Sequence, residues 1–166
     1  MGALQYRKPN LFRVDGAVVW LLLKHGEFCI DLADWDRVKE FRWCSYKAPR
    51  TTYARTTNAI GPQWRLHQYI LGIRGVDHID THGWNNRRSN LRPATKSQNG
   101  ANRLKNRNNQ SGFKGVSKCG TTGRWKVSIT TKQNGWKFLG RFDTPEEASQ
   151  VYAQAARASF GEFARL

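Results

Sequence analysis

In the last third of the chain the turn signals leave room for one arrangement, three short strands followed by a single long helix. Residues 113–118, 124–130 and 136–142 carry strand-like patterns and are separated by Gly-Thr-Thr-Gly and Gln-Asn-Gly turns. Thr144-Pro145-Glu146-Glu147 then starts a helix. Thr supplies a capping oxygen, Pro sits in the first turn where its missing N–H costs nothing, and Glu at the third position can complete a capping box. Ala148, Val151, Tyr152, Ala155, Ala156 and Ser159 fall on one face of this helix, which runs to about Phe160. Nothing in this segment repeats the rest of the chain.

The first 65 residues read as short strands joined by turns. Residues 18–23 are an apolar run broken at His25-Gly26, with residues 28–32 as the hairpin partner. Asp34 is placed to cap a short helix over residues 35–41, and Trp43 and residues 53–56 suggest two more strands. Trp20, Trp35, Trp43 and Trp64 supply large buried area to a region with few other core residues. Residues 64–71 read as a short helix ended by Gly72. Residues 76–80 alternate apolar and polar like a strand, a Gly-Trp-Asn-Asn turn leads into residues 87–92, and Thr95 opens a helix to about Arg103. The expected fold class is therefore α+β. A β-rich region over residues 1–64 leads into a strand–loop–strand–helix unit over 65–104. A basic linker over 105–110 joins it to a three-stranded antiparallel sheet backed by one helix over 111–166.

The charge is lopsided. The 166 residues hold 28 Lys and Arg against 12 Asp and Glu, a formal net charge of +16. No acidic residue occurs between Asp80 and Asp143. Each cation set against a phosphate releases condensed counterions, so such an excess points to a nucleic-acid partner. Arg87, Arg88, Arg92, Arg103, Lys105 and Arg107 are the candidate DNA contacts of the middle segment, and Lys114, Lys118, Arg124, Lys126, Trp136 and Lys137 those of the C-terminal one. No apolar run is long enough to span a bilayer, and residues 1–8 lack a signal-peptide pattern. Cys29, Cys44 and Cys119 are odd in number and far apart, which argues against a disulfide framework or a cysteine zinc site. The expectation is a cytoplasmic protein that is not secreted, acts on double-stranded DNA away from membranes, and works as a monomer.

Cutting a phosphodiester requires a metal to neutralise phosphate charge, a base to activate water, and help for the departing oxygen. Asp77-His78 sets a hard oxygen ligand beside an imidazole that titrates near neutrality. A helix laid across the hairpin could bring Asn99 over Asp77, giving the two-oxygen, water-rich site in which magnesium is usually held. The whole string, Val76-Asp77-His78-Ile79-Asp80 with Asn85-Asn86-Arg87-Arg88-Ser89-Asn90-Leu91-Arg92 and Thr95-Lys96-Ser97-Gln98-Asn99, resembles the HNH endonucleases, in particular the phage and intron-encoded homing group built on a ββα-metal finger. That resemblance covers about residues 65–103. It implies that Asp77 and Asn99 ligate one divalent ion per active site, Mg2+ or Mn2+, and that His78 is the general base. It implies that Asn90, the middle letter of the motif, braces the hairpin and helps orient the base. It also implies 3′-hydroxyl and 5′-phosphate ends. His67 matches a histidine common upstream in relatives, and His82 departs from the family's loop; both are possible accessory residues.

The C-terminal segment, with Ser111-Gly112-Phe113-Lys114-Gly115-Val116, Arg124-Trp125-Lys126-Val127 and Leu139-Gly140-Arg141-Phe142-Asp143-Thr144, is similar to the DNA-binding domain of plant ethylene-response factors. In that family a three-stranded sheet enters the major groove with a helix behind it. Trp125, Val127 and Ile129 alternate toward the helix, leaving Arg124, Lys126, Ser128 and Thr130 for DNA. The family's reading positions fall on Lys114, Ser117, Cys119, Ser128, Thr130, Trp136 and Phe138, several of which are Arg in the plant proteins. The plant GC-rich specificity is therefore not inherited. The expected function is a metal-dependent, site-specific DNA endonuclease of homing type. The alternative is a DNA-binding regulator carrying an inactive HNH remnant.

Overall fold

A computed structural model describes residues 10–57, 63–133 and 135–166. The leader reading of residues 1–8, and Asn134 of the Gln-Asn-Gly turn, lie outside the described residues. The chain divides into two compact units, Met1–Pro93 and Ala94–Leu166.

The first unit opens with an antiparallel meander of β1 (Leu11–Asp15), β2 (Val18–Leu23) and β3 (Gly26–Asp31), in that spatial order. Val19 pairs with Ile30 and Leu21 with Phe28, so one face of the β2–β3 hairpin is fully apolar and buried. Strand β1 was not expected from the sequence. All five of its residues are exposed, so it is held to β2 by main-chain pairing and no burial pattern marks it. The expected helix over residues 35–41 shrinks to α1 (Trp35–Val38), and Asp34 makes no side-chain cap there because its carboxylate is engaged by Arg88. Strands β4 (Trp43–Lys47) and β5 (Thr52–Thr56) form a hairpin. Helix α2 (Leu66–Leu71) ends on Gly72 at φ +71°, the left-handed stop that glycine accepts without a Cβ penalty. Trp64 lies ahead of this helix instead of inside it.

Strands β6 (Val76–His78) and β7 (Leu91–Pro93) close the unit as a short antiparallel pair, with Asp77 opposite Arg92 and His78 opposite Leu91. Its core joins Val19, Leu21, Phe28, Ile30, Val38, Trp43, Leu66, Ile70, Val76 and Leu91. Of the four tryptophans singled out in the sequence, only Trp43 is buried; its indole N–H donates to the Val38 carbonyl at 2.9 Å. Truncating so large a core side chain to Ala typically costs about 3–5 kcal/mol.

The second unit begins with α3 (Lys96–Ala101), whose capping box is complete: the Thr95 hydroxyl accepts from the Gln98 N–H, and the Gln98 side chain accepts from the Thr95 N–H. Strands β8 (Val116–Lys118), β9 (Trp125–Thr131) and β10 (Gly135–Phe142) form an antiparallel sheet in the order β10-β9-β8. Helix α4 (Pro145–Phe160) packs on one face of it. Thr144 caps α4 by accepting from the Glu147 N–H at 3.2 Å. Ala148, Tyr152 and Ala156 are the buried positions of the helix, against Val116, Val127 and Ile129 of the sheet. Val151 and Ala155 are half-buried and Ser159 is exposed, so the apolar stripe is narrower than its sequence suggests. The architecture is mixed α and β, built from several small antiparallel sheets and few helices.

Candidate active site and nucleic-acid interface

Strand β6 carries Asp77 and His78 side by side, and both are buried. Successive strand residues point to opposite sides. Both are nevertheless enclosed: His78 lies between His67 of α2 and Asn86 of a loop over residues 79–87, and Asp77 is packed with its cross-strand partner Arg92. The loop is fastened to β3 by main-chain bonds, Cys29 N–H to the Trp84 carbonyl at 2.9 Å and Asn86 N–H to the Cys29 carbonyl at 2.8 Å. Gly83 seats the same loop on β5; a Cβ there would overlap the Thr52 carbonyl and the Tyr53 ring.

The His78 ring is contacted on two sides. His67 of α2 meets it edge to face with centroids 4.6 Å apart, and Tyr53 of β5 lies 6.0 Å away. On the loop side, His78 Nε2 lies 3.2 Å from Asn86 Oδ1. Burial pushes the His78 imidazole below its ordinary value, outweighing the raising effects of Asn86, Asp80 and Asp77. His67 is lowered further, to about 2, by burial and by the neighbouring His78 and Arg65. Both rings are therefore neutral near pH 7, and a neutral imidazole beside a carboxylate is suited to accepting a proton.

Asp77 pairs with its cross-strand neighbour Arg92, whose Nη2 lies 3.0 Å from Asp77 Oδ2; both side chains are nearly enclosed. Asn90 braces the loop. Its Nδ2 donates to Asp80 Oδ1 at 2.9 Å and to the Asn85 carbonyl at 2.8 Å, while its Oδ1 accepts from the Asp80 N–H at 3.0 Å. Asp80 also accepts from the His82 N–H and from Asn85 Nδ2. Burial pushes the Asp80 carboxyl up, but these hydrogen bonds outweigh it and hold the group below its usual value. Thr81, next in the loop, takes φ +69°, a conformation costly for a β-branched residue. His82 is exposed at the loop tip, its ring 5.6 Å from Trp84. Asn99 lies on α3 in the second unit. Among the described residues no group of three or more His, Cys, Asp or Glu is gathered as for a metal ion.

Several basic residues singled out in the sequence are engaged within the protein. Arg87 Nε donates to Asp31 Oδ1 at 3.0 Å, and Arg88 holds Asp34 through two hydrogen bonds at 2.7 and 2.8 Å. In the second unit, Lys105 donates to the Gly112 carbonyl, and Lys114 to the carbonyls of Ala101 and Arg165. Arg103 and Arg107 are exposed. Arg124 pairs with Asp143 at 2.8 Å.

Register sorts the sheet residues by face. Lys126 is the cross-strand partner of both Ser117 and Arg141, Ser128 pairs with Phe138, and Thr130 pairs with Trp136. Together they make the face turned away from α4, whose buried side carries Val127 and Ile129. A bulge between Phe138 and Gly140 restores this register for Arg141. Trp136 is 66% exposed and stacks alongside Phe138 with centroids 6.4 Å apart, and the Arg141 guanidinium lies over Phe138 at 5.3 Å. Lys118 and Lys137 instead lie opposite Trp125 and Ile129, on the side that carries the helix, and are exposed at its margin. Asn86, Asp31 and Asp34 were not anticipated as partners of site residues. They sit in loops or at an element's end, where no periodicity marks a side chain as buried.

No helix among the described residues is long and apolar enough to cross a membrane. No family model matches the chain, and no solved structure does. Two viral proteins do. A protein of Acanthamoeba polyphaga mimivirus, named an uncharacterized HNH endonuclease, is 32% identical over 168 residues, covering 93% of this chain and 83% of its own length. Protein 3.8 of Escherichia phage T7 is 31% identical over 121 residues, 73% of this chain and 93% of that protein.

Proposed function

Because the chain belongs to the HNH endonuclease family, we propose that it is a metal-dependent, site-specific DNA endonuclease, with His78 as general base and the second unit as its grip on the duplex. The observation that most supports this reading is a buried, neutral His78 imidazole immediately beside the Asp77 carboxylate. His78 takes a proton from the attacking water. Its pKa, lowered by burial, keeps it unprotonated at neutral pH. By resemblance to the family, Asp77 and Asn99 would be the metal ligands, a carboxylate and a carboxamide being hard oxygen donors of the kind that Mg2+ or Mn2+ takes. When bound, the ion supplies charge neutralisation at the scissile phosphate and the leaving 3′ oxygen. Arg92 holds the Asp77 side chain in place, and Asn90 keeps the loop closed over the base. The products are a 3′-hydroxyl and a 5′-phosphate.

The second unit contributes affinity. Its outer sheet face presents Lys126, Arg141, Ser128, Thr130 and the Trp136–Phe138 pair. Cations there meet phosphates, and the aromatic and hydroxyl groups meet bases and sugars, in the manner of the plant ethylene-response factors. The enzyme is of homing type and acts as a monomer in the cytoplasm of an infected or bacterial cell.

Incubation of the protein with fragmented host-genome or randomised duplex DNA and magnesium, followed by sequencing of the ends released, tests the proposal. Wild type is expected to produce recurrent ends bearing 5′-phosphates. His78→Ala, Asp77→Ala and Asn99→Ala are expected to bind the same DNA without cutting it. Wild-type protein that binds the library but releases no ends with magnesium or manganese would support the regulator with an inactive remnant instead.

A further inference from the structure

We propose that Asn86 sets the tautomer of His78, so that the ring keeps its proton on Nε2 and presents Nδ1 as the basic nitrogen. The consequence for cleavage rests on the nuclease reading above; the tautomer does not.

The assignment follows from counting donors. Asn86 is 1% exposed, so its amide must satisfy both ends within the protein. Its Nδ2 faces two carbonyls, those of Trp84 at 3.0 Å and Gly83 at 3.3 Å. A carbonyl can only accept, so both positions demand N–H, and turning the amide over would set its oxygen against two others. Asn86 Oδ1 is thereby committed to the His78 side, 3.2 Å from Nε2. An amide oxygen cannot donate, so the proton between them belongs to the imidazole. A neutral imidazole carries one N–H, which leaves the lone pair on Nδ1.

The amide is itself anchored. The Asn86 N–H donates to the Cys29 carbonyl at 2.8 Å, which ties it to the middle of β3 rather than to the loop alone. His67 and Tyr53 pack against the ring from other directions and restrict its rotation. Division of labour between two amides follows. Asn90 closes the loop through Asp80 and Asn85, whereas the amide bonded to the imidazole is that of Asn86. Asn86 is a positioning residue that acts through His78.

The test reads the tautomer directly. Two-bond proton–nitrogen correlations of the imidazoles are recorded on the full-length protein at pH 8, where ordinary histidines are neutral. The His78 pattern is identified by its disappearance in His78→Gln. Wild type is expected to show a single tautomer with protonated Nε2 and unprotonated Nδ1, and Asn86→Ala a mixture of both. Cleavage by Asn86→Ala is expected to slow about 10- to 100-fold in kcat, the usual effect of losing an orienting partner, with DNA binding unchanged. A His78 that carries its proton on Nδ1 in wild type, or that remains a single Nε2–H tautomer in folded Asn86→Ala, overturns the proposal. The wild-type spectrum decides the tautomer even where Asn86→Ala fails to fold. A protein that shows the expected tautomer yet cuts no DNA removes the nuclease reading and leaves the Asn86 assignment standing. One that cuts DNA with the opposite tautomer does the reverse.

Discussion

The edge of one imidazole meets the face of another where His67 of helix α2 packs on His78 of strand β6, their centroids 4.6 Å apart within the enclosed core of the first unit. Two buried neutral imidazoles in contact tie folding to pH. His67 falls from 6.5 to about 2 on folding, so the unfolded chain binds a proton between those values that the native chain does not. Stability therefore rises with pH across that window and is lost on acidification below 6.5, at about 1.4 kcal/mol per pH unit. His67→Phe keeps a ring in the same space without the titration. Urea midpoints measured at pH 7.5 and 4.5 are expected to show wild type losing about 2–3 kcal/mol more than His67→Phe. Parallel losses in the two proteins would count against this account.

Arg88 illustrates how a basic residue in a strongly cationic chain can serve the fold. Its partner Asp34 has a side chain only 4% exposed. Arg88→Met leaves that carboxylate with the more distant Arg37, 3.7 Å away, and is expected to destabilise the first unit by about 2–3 kcal/mol, since the arginine itself is half solvated. Chemical denaturation measures this. The slope of DNA affinity against salt is expected to change far less than the stability does.

Gly115 occupies φ +72° with the Tyr152 ring directly over its Cα, so that any Cβ would overlap the ring. Gly115→Ala is expected to cost 3 kcal/mol or more (an approximate sum of left-handed strain and overpacking). Loss of DNA binding with the first unit's unfolding transition retained is the expected readout. Tyr152→Leu in the same background opens space and is expected to restore part of the stability.

Face assignment in the second unit separates lysines that composition cannot. Lys126→Ala and Arg141→Ala on the outer face are each expected to reduce the log–log salt slope of duplex binding by about 0.9. Lys118→Ala and Lys137→Ala, which lie toward the helix side, are expected to leave it nearly unchanged. Fluorescence anisotropy between 50 and 200 mM salt, roughly the range where such terms dominate, distinguishes the two pairs. Equal effects from all four would argue for a diffuse contact.

Elements with a local signature are legible in the sequence. The Thr144-Pro145 start of α4, the Gly72 stop of α2, the Thr95 start of α3 and the β2–β3 hairpin each follow from a short-range rule, and each is present. Strand β1 was not legible because its five residues gain no burial. Asp34 looks like a cap from its neighbours, yet its carboxylate is claimed by an arginine 54 positions away. Sequence likewise groups Arg87, Arg88 and Lys105 with the DNA contacts by charge, and Lys114 by charge and resemblance, whereas their partners within the protein are set by tertiary placement. The Asp77-His78 pair was visible as a motif. The amide bonded to the imidazole was not, since a buried asparagine in a turn resembles any other turn asparagine.

The tie from Arg87 and Arg88 back to Asp31 and Asp34 has a practical consequence for anyone wishing to miniaturise or transplant the cutting module. A fragment trimmed to the motif would discard the two carboxylates that pin its loop and the strand to which Asn86 is tethered. Grafts into other scaffolds should therefore carry everything from β2 through α3 as one piece, which keeps Val19, Leu21 and Asn99 with the motif, and chimeras cut within that span are expected to be insoluble or inert.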